Sequence, residues 1–327
     1  MQNAKNIIDF IGNTPLVRLN DSFTHVAANV LVKLEYLNPG GSVKDRMALQ
    51  IIIDAEEKGL LKKGATIIEC TGSGNTGIGL AMIAAIRGYK TIFTMPDKNS
   101  IEKINILKAY GAKVIICPTD VPPDDPRSYY QVADRMAKVI PNAFFARQYS
   151  NPSNPKAHYV STGPELWKQM DGKVDYFIAG MGTGGTISGI GKFFKEKNKT
   201  VKVIGVDPIG SIYTDYFKQK IVKKAIKTYL IEGVGEDFIP ETIDFSSIDE
   251  VVQVTDKEAY HMARRLAKEQ GILVGSSSGA AVAGALQYIQ QKKLTKNKQV
   301  VVLLPDSGRS YLSKLFNDDW MKEHNLV

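Results

Sequence analysis

The chain has 327 residues, of which 43% are hydrophobic and 23% are charged, and its formal net charge is +8. This length predicts two domains, and the composition is typical of globular proteins. No apolar run approaches the roughly 20 residues that cross a bilayer, and no signal-peptide core is seen, so we expect no membrane partner. Two cysteines in so long a chain argue against a disulfide scaffold and indicate a cytoplasmic location.

The basic residues are spread along the whole chain. The densest clusters, Lys218–Lys227 and Lys292–Lys298, lack the interleaved aromatic residues that stack on bases. We therefore expect no nucleic-acid partner, and we interpret the basic surface as one that attracts anionic ligands. Cys and His at metal-binding spacings are absent from the sequence, so no metal site is expected.

Short apolar runs alternate along the chain with segments of helical length. The predicted strands cover residues 30–36, 66–70, 91–95, 113–117, 143–148, 176–180, 202–207, 251–255 and 299–304. The predicted helices between them include residues 77–87, 101–110, 129–139 and 257–270. Strands that are apolar throughout and separated by helices indicate parallel sheets covered on both faces. We predict an α/β fold of two domains, each a mostly parallel twisted sheet flanked by helices, with ligands beyond the carboxyl ends of the strands.

A glycine-rich turn, Asn38-Pro-Gly-Gly-Ser-Val, leads to Lys44. We predict that Lys44 lies in the first turn of a helix, where the positive end of the helix dipole disfavours a charged amine. Burial would lower the pKa of Lys44 further. A lysine that is easily neutral can attack a carbonyl and form a Schiff base. Taken alone, Lys44 could equally be an exposed lysine after a loop.

Three loops rich in Gly, Ser and Thr follow predicted strands. The loop Gly182-Thr-Gly-Gly-Thr186 is typical of a phosphate cradle, because glycines allow close approach and a helix N-terminus offers free N–H groups. Tight packing of a helix on a strand is the alternative. The loop at residues 71–77 suits a carboxylate, and its Asn75 could donate to a phenolic oxygen; the alternative is an N-cap at Asn75 or Thr76. In the third loop, Ser277 could cap a helix or donate to a ring nitrogen.

Together, a Schiff-base lysine, a cradle for one phosphate and polar loops for a ring and a carboxylate describe pyridoxal phosphate. The chain resembles the β-family, or fold type II, of pyridoxal-phosphate enzymes, which includes cysteine synthase and cystathionine β-synthase. The resemblance runs from Ile11 to about Trp320. Its motifs are Gly-Gly-Ser-Val-Lys44-Asp-Arg, Ser-Gly-Asn75-Thr-Gly-Ile-Gly-Leu-Ala, Met95-Pro, Gln148-Tyr-Ser-Asn-Pro-Ser-Asn-Pro and Gly182-Thr-Gly-Gly-Thr. The segments at residues 232–240 and 303–314 are closer to cystathionine β-synthase.

The resemblance implies a role for particular residues and a tryptophan synthase β-like fold. Lys44 is expected to be the catalytic residue and to hold the cofactor. The residues expected to bind the cofactor are Lys44, Asn75, Gly182, Thr183, Gly184, Gly185, Thr186 and Ser277. The residues expected to bind the substrate are Thr71, Gly72, Ser73, Thr76, Gln148, Gly235 and Glu236. The expected smaller, mobile domain is residues 44–148 with 1–12 and part of 30–43, and the larger cofactor-binding domain is residues 13–30 and 149–327.

The implied reaction is β-replacement on serine or a serine derivative by a thiol, with serine and homocysteine giving cystathionine as the first choice. Lys44 would serve as anchor, then as base, then as acid. The alternatives are cysteine synthesis from O-acetylserine or O-phosphoserine and sulfide, and replacement on cysteine with release of hydrogen sulfide. From another class, the chain could be a catalytically silent binding protein or a nucleotide-binding module. Small amino-acid substrates and a homodimer are implied as partners.

The sequence departs from the family pattern in its substrate loop and near the second substrate. The loop at residues 71–75 is one residue longer than usual because of Gly72. Glu236 stands where a small residue or tyrosine is usual, and we hypothesise that it receives the ammonium of a second amino acid; a surface carboxylate is the alternative. No haem segment or regulatory domain is seen, so neither haem nor nucleotide control is expected. His158 is interpreted as structural rather than catalytic.

Overall fold

Two sheets with helices on their faces make up the computed structural model, which describes residues 3–222 and 228–327. The basic cluster Lys218–Lys227 therefore lies partly outside the described residues. The strands are β1 Leu16–Arg18, β2 Asn29–Leu34, β3 Thr66–Cys70, β4 Lys90–Pro96, β5 Lys113–Cys117, β6 Ala143–Phe145, β7 Tyr176–Gly180, β8 Lys202–Pro208, β9 Glu250–Val254 and β10 Gln299–Leu304. One sheet has the order β1-β2-β10-β7-β8-β9 and the other has the order β5-β4-β3-β6.

All strand pairs are parallel except β1 with β2, so the predicted α/β class is confirmed. The helices are α1 Asp21–Thr24, α2 Lys44–Glu57, α3 Asn75–Arg87, α4 Ile101–Ala109, α5 Tyr129–Val139, α6 Ser153–Ala157, α7 Gly163–Gln169, α8 Gly185–Lys197, α9 Tyr213–Gln219, α10 Asp256–Gln270, α11 Ser276–Gln291 and α12 Asp318–Glu323. A π-helical turn, His158–Thr162, joins α6 to α7. None of the described helices is both long and apolar enough to span a membrane.

The sheets are buried on both faces. In β10, Val300 and Val302 contribute to one core cluster, whereas Val301 and Leu303 contribute to another. Alternate residues of a strand point to opposite faces, so each face of the six-stranded sheet carries its own core. In β3, Ile67 and its neighbour Ile68 likewise belong to separate clusters. This two-sided burial explains why the strands read as apolar throughout.

Most predicted strands lie where the apolar runs place them. β3, β5, β7 and β10 have the predicted bounds, and the other predicted strands differ at their ends. The strand predicted at residues 143–148 ends at Phe145, because Arg147 adopts a left-handed conformation with φ of 55° that interrupts an extended chain. β1 was not predicted, since it is only three residues long and largely exposed at the edge of the sheet.

A buried ion cluster fixes the start of α2 on the six-stranded sheet. Arg46 donates to both carboxylate oxygens of Glu35, at 2.7 and 2.8 Å, and to Glu165 at 2.8 and 3.1 Å. Glu165 also pairs with Lys33, and Glu35 accepts a 2.6 Å bond from Thr14. Two cations and two carboxylates thus balance in a place that water hardly reaches. The paired cations hold the pKa of Glu165 down to about 2, even though burial raises it.

We propose that the chain divides into a smaller domain built around residues 44–148 and a larger domain built around residues 149–327. The four-stranded sheet is built from residues 66–145, and the six-stranded sheet is built from residues 16–34 and 176–304. The turn at residues 38–43 connects β2 of the larger sheet to α2, which packs on α3 of the smaller one. If residues 44–148 move as a unit, hydrogen exchange will change together across that range when a substrate binds; changes confined to single loops would contradict the proposal.

Replacing Glu35 by Gln tests the ion cluster. The substitution keeps the shape but leaves Arg46 and Lys33 to share Glu165, and breaking a buried pair in this way costs about 3–5 kcal/mol. We expect the free energy of unfolding in urea to fall by this amount. The matched control is Asp21→Asn, whose partner Arg18 is exposed, and there the loss should stay below about 1 kcal/mol. Equal losses in the two variants would show that the cluster contributes no special stability.

Candidate active site

Lys44 is the first residue of α2, as predicted, and it projects into a cleft of about 320 Å³. The turn before it is attached to the end of β10, because Val43 N–H donates to the Pro305 carbonyl at 2.8 Å. The hydroxyl of Ser42 accepts a hydrogen bond from the backbone N–H of Lys44 at 3.2 Å, and the backbone of Ser42 forms an antiparallel β-bridge with that of Asp306. The position of Lys44 therefore follows from the six-stranded sheet and from the ion cluster two residues further along α2.

The pKa of Lys44 is lowered from 10.5 to about 8. Burial is the largest cause, and the carboxylates of Asp306 and Glu236 partly oppose it by favouring the charged amine. From the sequence we expect the helix dipole to lower the pKa of Lys44 first and burial to lower it further. In the structure, burial is the largest cause. A substantial fraction of Lys44 is consequently neutral at slightly alkaline pH, as a nucleophile or a base requires.

The loop after β7 forms a cradle at the start of α8. Gly184 is the N-cap with φ of +81°, and no side chain caps α8. A side chain at Gly182 would overlap the carbonyl of Gly233, and one at Gly185 would overlap Asn154. A small cavity of about 30 Å³ is lined by Lys44, Gly182, Thr183, Gly184 and Thr186, among others. The uncapped helix N-terminus and Lys44 therefore share one cavity, which suits an anion.

The loop before α3 has the same backbone device. Gly74 is its N-cap with φ of +81°, so the alternative interpretation of Asn75 or Thr76 as the N-cap is wrong. Asn75 instead begins α3 and donates to Asp306 at 2.8 Å. Thr71 accepts the N–H of Gly77, and Thr76 donates to Gln148 at 2.6 Å, so both hydroxyls brace the loop. Gly72, Ser73 and Gln148 line the cleft, but Thr71 and Thr76 do not.

The additional residue Gly72 is packed beneath two tyrosines. A Cβ atom there would lie 3.1 Å from the hydroxyl of Tyr129 and 3.2 Å from that of Tyr149, which is tighter than ordinary contact. The Gly72 carbonyl accepts a 3.0 Å bond from Asn99. The longer loop is thus fixed on the cleft wall, and glycine is needed because the tyrosine hydroxyls occupy the space of a side chain.

Glu236 lies in the cleft with Lys44 rather than on the outer surface. Burial, followed by the charge of Asp237, raises the pKa of Glu236 to about 8. The hydroxyl of Tyr130 donates to it at 3.4 Å, and no cation pairs with it within the part of the chain that the structure describes. The charge of Lys98 offsets the effect of burial only in part, so a positively charged ligand would stabilise the carboxylate further. Gly235 lines the same cleft, with φ of +77°.

Ser277 lies in the first turn of α11, where the N-cap is Gly275, so Ser277 does not cap the helix. Its side chain is buried, and its hydroxyl forms no hydrogen bond with the described residues. Ser277 lines neither cavity. The assignment of Ser277 to a ring nitrogen stays a prediction, as do the other assignments of site residues.

Several cleft residues were not found from the sequence. Tyr129, Tyr130 and Tyr149 line the cleft with Glu236, yet aromatic residues at these positions are as typical of a core. Asp306 influences Lys44, accepts from Asn75 and accepts a 2.6 Å bond from Tyr311. Its place directly after the carboxyl end of β10 is a signal that could have identified it. No group of three or more Cys, His, Asp or Glu in the described residues could hold a metal ion.

Comparisons with known proteins agree with this geometry. The family model described as pyridoxal-phosphate dependent enzyme matches residues 7–306. Cystathionine β-synthase of Dictyostelium discoideum is 48% identical over 322 residues, which cover 98% of this chain but 64% of that protein. Cysteine synthase of Staphylococcus aureus is 44% identical over 94% of this chain and 95% of its own. The crystal structure of a hydrogen sulfide-producing enzyme from Fusobacterium nucleatum has a TM-score of 0.87 and 40% identity, covering 95% of this chain and 100% of that one.

The pH dependence of Lys44 reactivity tests the electrostatics of the cleft. In the cofactor-free protein, labelling of Lys44 by trace acetic anhydride should rise with pH to a midpoint of about 8, because only the neutral amine reacts. Asp306→Asn removes a charge that favours the ammonium, so the midpoint should move to lower pH. Peptide mass spectrometry reports the labelling, with exposed Lys63 as the internal reference. A midpoint near that of an ordinary lysine, or an upward move in Asp306→Asn, would refute the assignment.

Proposed function

Because the chain belongs to the family of pyridoxal-phosphate dependent enzymes, we propose that it catalyses β-replacement on serine or a serine derivative with a thiol. The first-choice reaction joins serine and homocysteine to cystathionine. The chain spans less than two thirds of the cystathionine β-synthases that it resembles, so the activity is inferred from the site. The observation that carries the proposal is that Lys44, with its lowered pKa, and the buried carboxyl of Glu236 line one cleft.

The residues present fit pyridoxal phosphate. The cradle at residues 182–186 has no room for a side chain at Gly182, Gly184 or Gly185, and it would hold the phosphate. The free hydroxyl of Ser277 would meet the ring nitrogen, and Asn75 would donate to the ring oxygen. Lys44, with its lowered pKa, would bind the aldehyde carbon. When bound, pyridoxal phosphate supplies an electron sink for negative charge at the substrate α-carbon.

Lys44 is also the group that would move protons. Its neutral Nζ takes the α-proton of the substrate, and the resulting ammonium gives a proton to the departing β-substituent. A pKa of about 8 suits both tasks, since each form is then accessible near neutral pH. Ser73 and Gln148 line the cleft beside Lys44 and would bind the substrate carboxylate.

Glu236 favours an amino acid as the acceptor. Its charged form is disfavoured by burial and would be stabilised by an ammonium group in the cleft. Homocysteine and cysteine carry an ammonium group, whereas sulfide does not. The substrate ammonium therefore distinguishes the first-choice reaction from cysteine synthesis with sulfide.

A second candidate is cysteine synthase activity on O-acetylserine or O-phosphoserine. The similarity to the Staphylococcus aureus enzyme, which extends over 95% of that protein, favours it. Cysteine as the substrate, with release of hydrogen sulfide, is a related possibility that the likeness to the Fusobacterium nucleatum enzyme supports.

We also propose that the protein is a cytoplasmic homodimer that acts on small amino acids. The absence of a disulfide scaffold supports the location, since both cysteines are free and buried. The homodimer is the expectation that the family resemblance gives. A solution mass equal to that of one 36.0 kDa chain would contradict the dimer.

A panel of substrates tests the proposed function. Serine, O-acetylserine, O-phosphoserine and cysteine are each offered with homocysteine or sulfide, and the products are identified by mass spectrometry. We expect cystathionine from serine and homocysteine, and no product with Lys44→Ala. Turnover of O-acetylserine with sulfide alone would favour the second candidate. A cofactor-loaded protein that converts none of these pairs would overturn the proposal and leave the silent binding protein.

Substituting Glu236 by Gln tests the choice of acceptor. Loss of a charge-assisted contact with an ammonium, worth about 1.5–3 kcal/mol, should raise KM for homocysteine by about 10- to 100-fold. KM for sulfide should change little. Asp120→Asn, an exposed carboxyl at the rim of the same cleft, is the matched control and should leave both values unchanged. An unaltered ranking of thiol acceptors in Glu236→Gln would show that Glu236 does not select them.

A further inference from the structure

The segment from Asn154 to His158 lies behind the cradle and contacts both of its threonines. The side-chain nitrogen of Asn154 donates to the Thr183 hydroxyl at 2.9 Å and to the Gln148 carbonyl at 2.9 Å. Because a carbonyl can only accept, the amide nitrogen must face these two partners. The Thr183 oxygen therefore accepts, and its own proton remains available to another acceptor.

His158 stands in the same relation to Thr186. It is fully buried at the start of the π-helical turn, with Nε2 3.1 Å from the Thr186 hydroxyl and Nδ1 2.9 Å from the Thr162 hydroxyl. Single π-turns of this kind often occur at functional sites. α8 packs closely here, since a side chain at Gly189 would meet the Cβ of His158 at 2.9 Å. The ring is therefore held between a structural threonine and a threonine of the cradle.

The charge state of the ring determines what it can do. Burial is the main cause that holds the pKa of His158 well below its usual range, and the nearby positive charges of Lys44 and Arg46 act in the same direction. The ring is thus neutral and carries one N–H. The Thr162 hydroxyl is fully buried, and its proton has no other acceptor among the described residues, so satisfying that proton requires Thr162 to donate to Nδ1. This leaves the ring proton on Nε2, facing Thr186.

From this geometry, we propose that His158 is a positioning residue that donates from Nε2 to Thr186 Oγ1 and thereby leaves the Thr186 proton for the cofactor phosphate. With the opposite tautomer, Thr186 would donate its proton to the ring, and that proton would no longer be available to the phosphate. Asn154 and His158 thus act alike, each donating to one threonine of the cradle. The inference rests on the proposed cofactor. It adds Asn154 and His158 as the residues that leave the hydroxyl protons of Thr183 and Thr186 free to bind the phosphate.

Nitrogen NMR tests the tautomer directly. With 15N-labelled histidine, the four rings of the chain are few enough to resolve. We expect His158 to show a protonated Nε2 and an unprotonated Nδ1 in the cofactor-loaded protein. Protonation at Nδ1 instead, or a doubly protonated ring, would overturn the proposal. This measurement needs no substitution, so it decides the question even if variants of His158 fail to fold.

Cofactor affinity tests the consequence. His158→Leu removes the donor, and we expect it to weaken binding of pyridoxal phosphate by about tenfold or more, because a buried hydroxyl loses its partner. Binding of pyridoxal, which lacks the phosphate, should be unchanged. His158→Gln, which keeps an amide donor, should recover most of the affinity, and exposed His324→Leu is the control.

Equal losses for pyridoxal and pyridoxal phosphate would indicate a merely structural histidine and overturn the proposal, as would no loss at all. The result is separable from that of the proposed reaction. If the protein without substitutions binds the cofactor but catalyses no β-replacement, the proposed reaction is contradicted and this inference is not. Normal turnover with a His158→Leu variant that binds both ligands as the unchanged chain does would sink this inference alone.

Discussion

The buried pairing of Arg46 with Glu35 and Glu165 is the interaction on which the rest of the site depends. It attaches the first turn of α2 to Glu35, directly after β2, and to Glu165 of α7, and that same turn carries Lys44. A lysine with a pKa of about 8 must be held away from water, and a long flexible side chain does not remain buried unless its backbone is fixed. The ion cluster supplies this fixation with charges that balance one another.

The cleft is assembled from both sheets, and polar contacts connect them. Lys103 of α4 pairs with Glu232 at 3.1 Å and donates to Tyr311 at 2.7 Å. Tyr311 donates to Asp306, which accepts from Asn75. A continuous buried network therefore runs from the helices of the smaller sheet to the loop after β10. Because Asp306 also raises the pKa of Lys44, the network joins the packing of the two sheets to the chemistry of the amine.

Much of this could be predicted from the sequence. Two-sided burial makes the strands apolar throughout, and glycines mark the loops at their carboxyl ends, so the fold class and the cradle at residues 182–186 were accessible. The tyrosines around Gly72 were not, because their roles depend on how α5 and the loop after β6 meet in space. The alternative that Asn75 or Thr76 is the N-cap of α3 was wrong, since Gly74 is the N-cap in a left-handed conformation that propensities for capping side chains do not anticipate. The pairing of His158 with Thr186 joins residues 28 apart in the chain, and no local pattern reports it.

We propose that the fold presents Lys44 as the attachment point of the cofactor. Reduction of the cofactor-loaded protein with borohydride fixes any lysine–cofactor linkage, and peptide mass spectrometry then identifies the lysine. We expect a pyridoxyl mass on the peptide that contains Lys44 and its loss in Lys44→Ala. The same mass on Lys98, which also lines the cleft, or on no lysine at all, would contradict it.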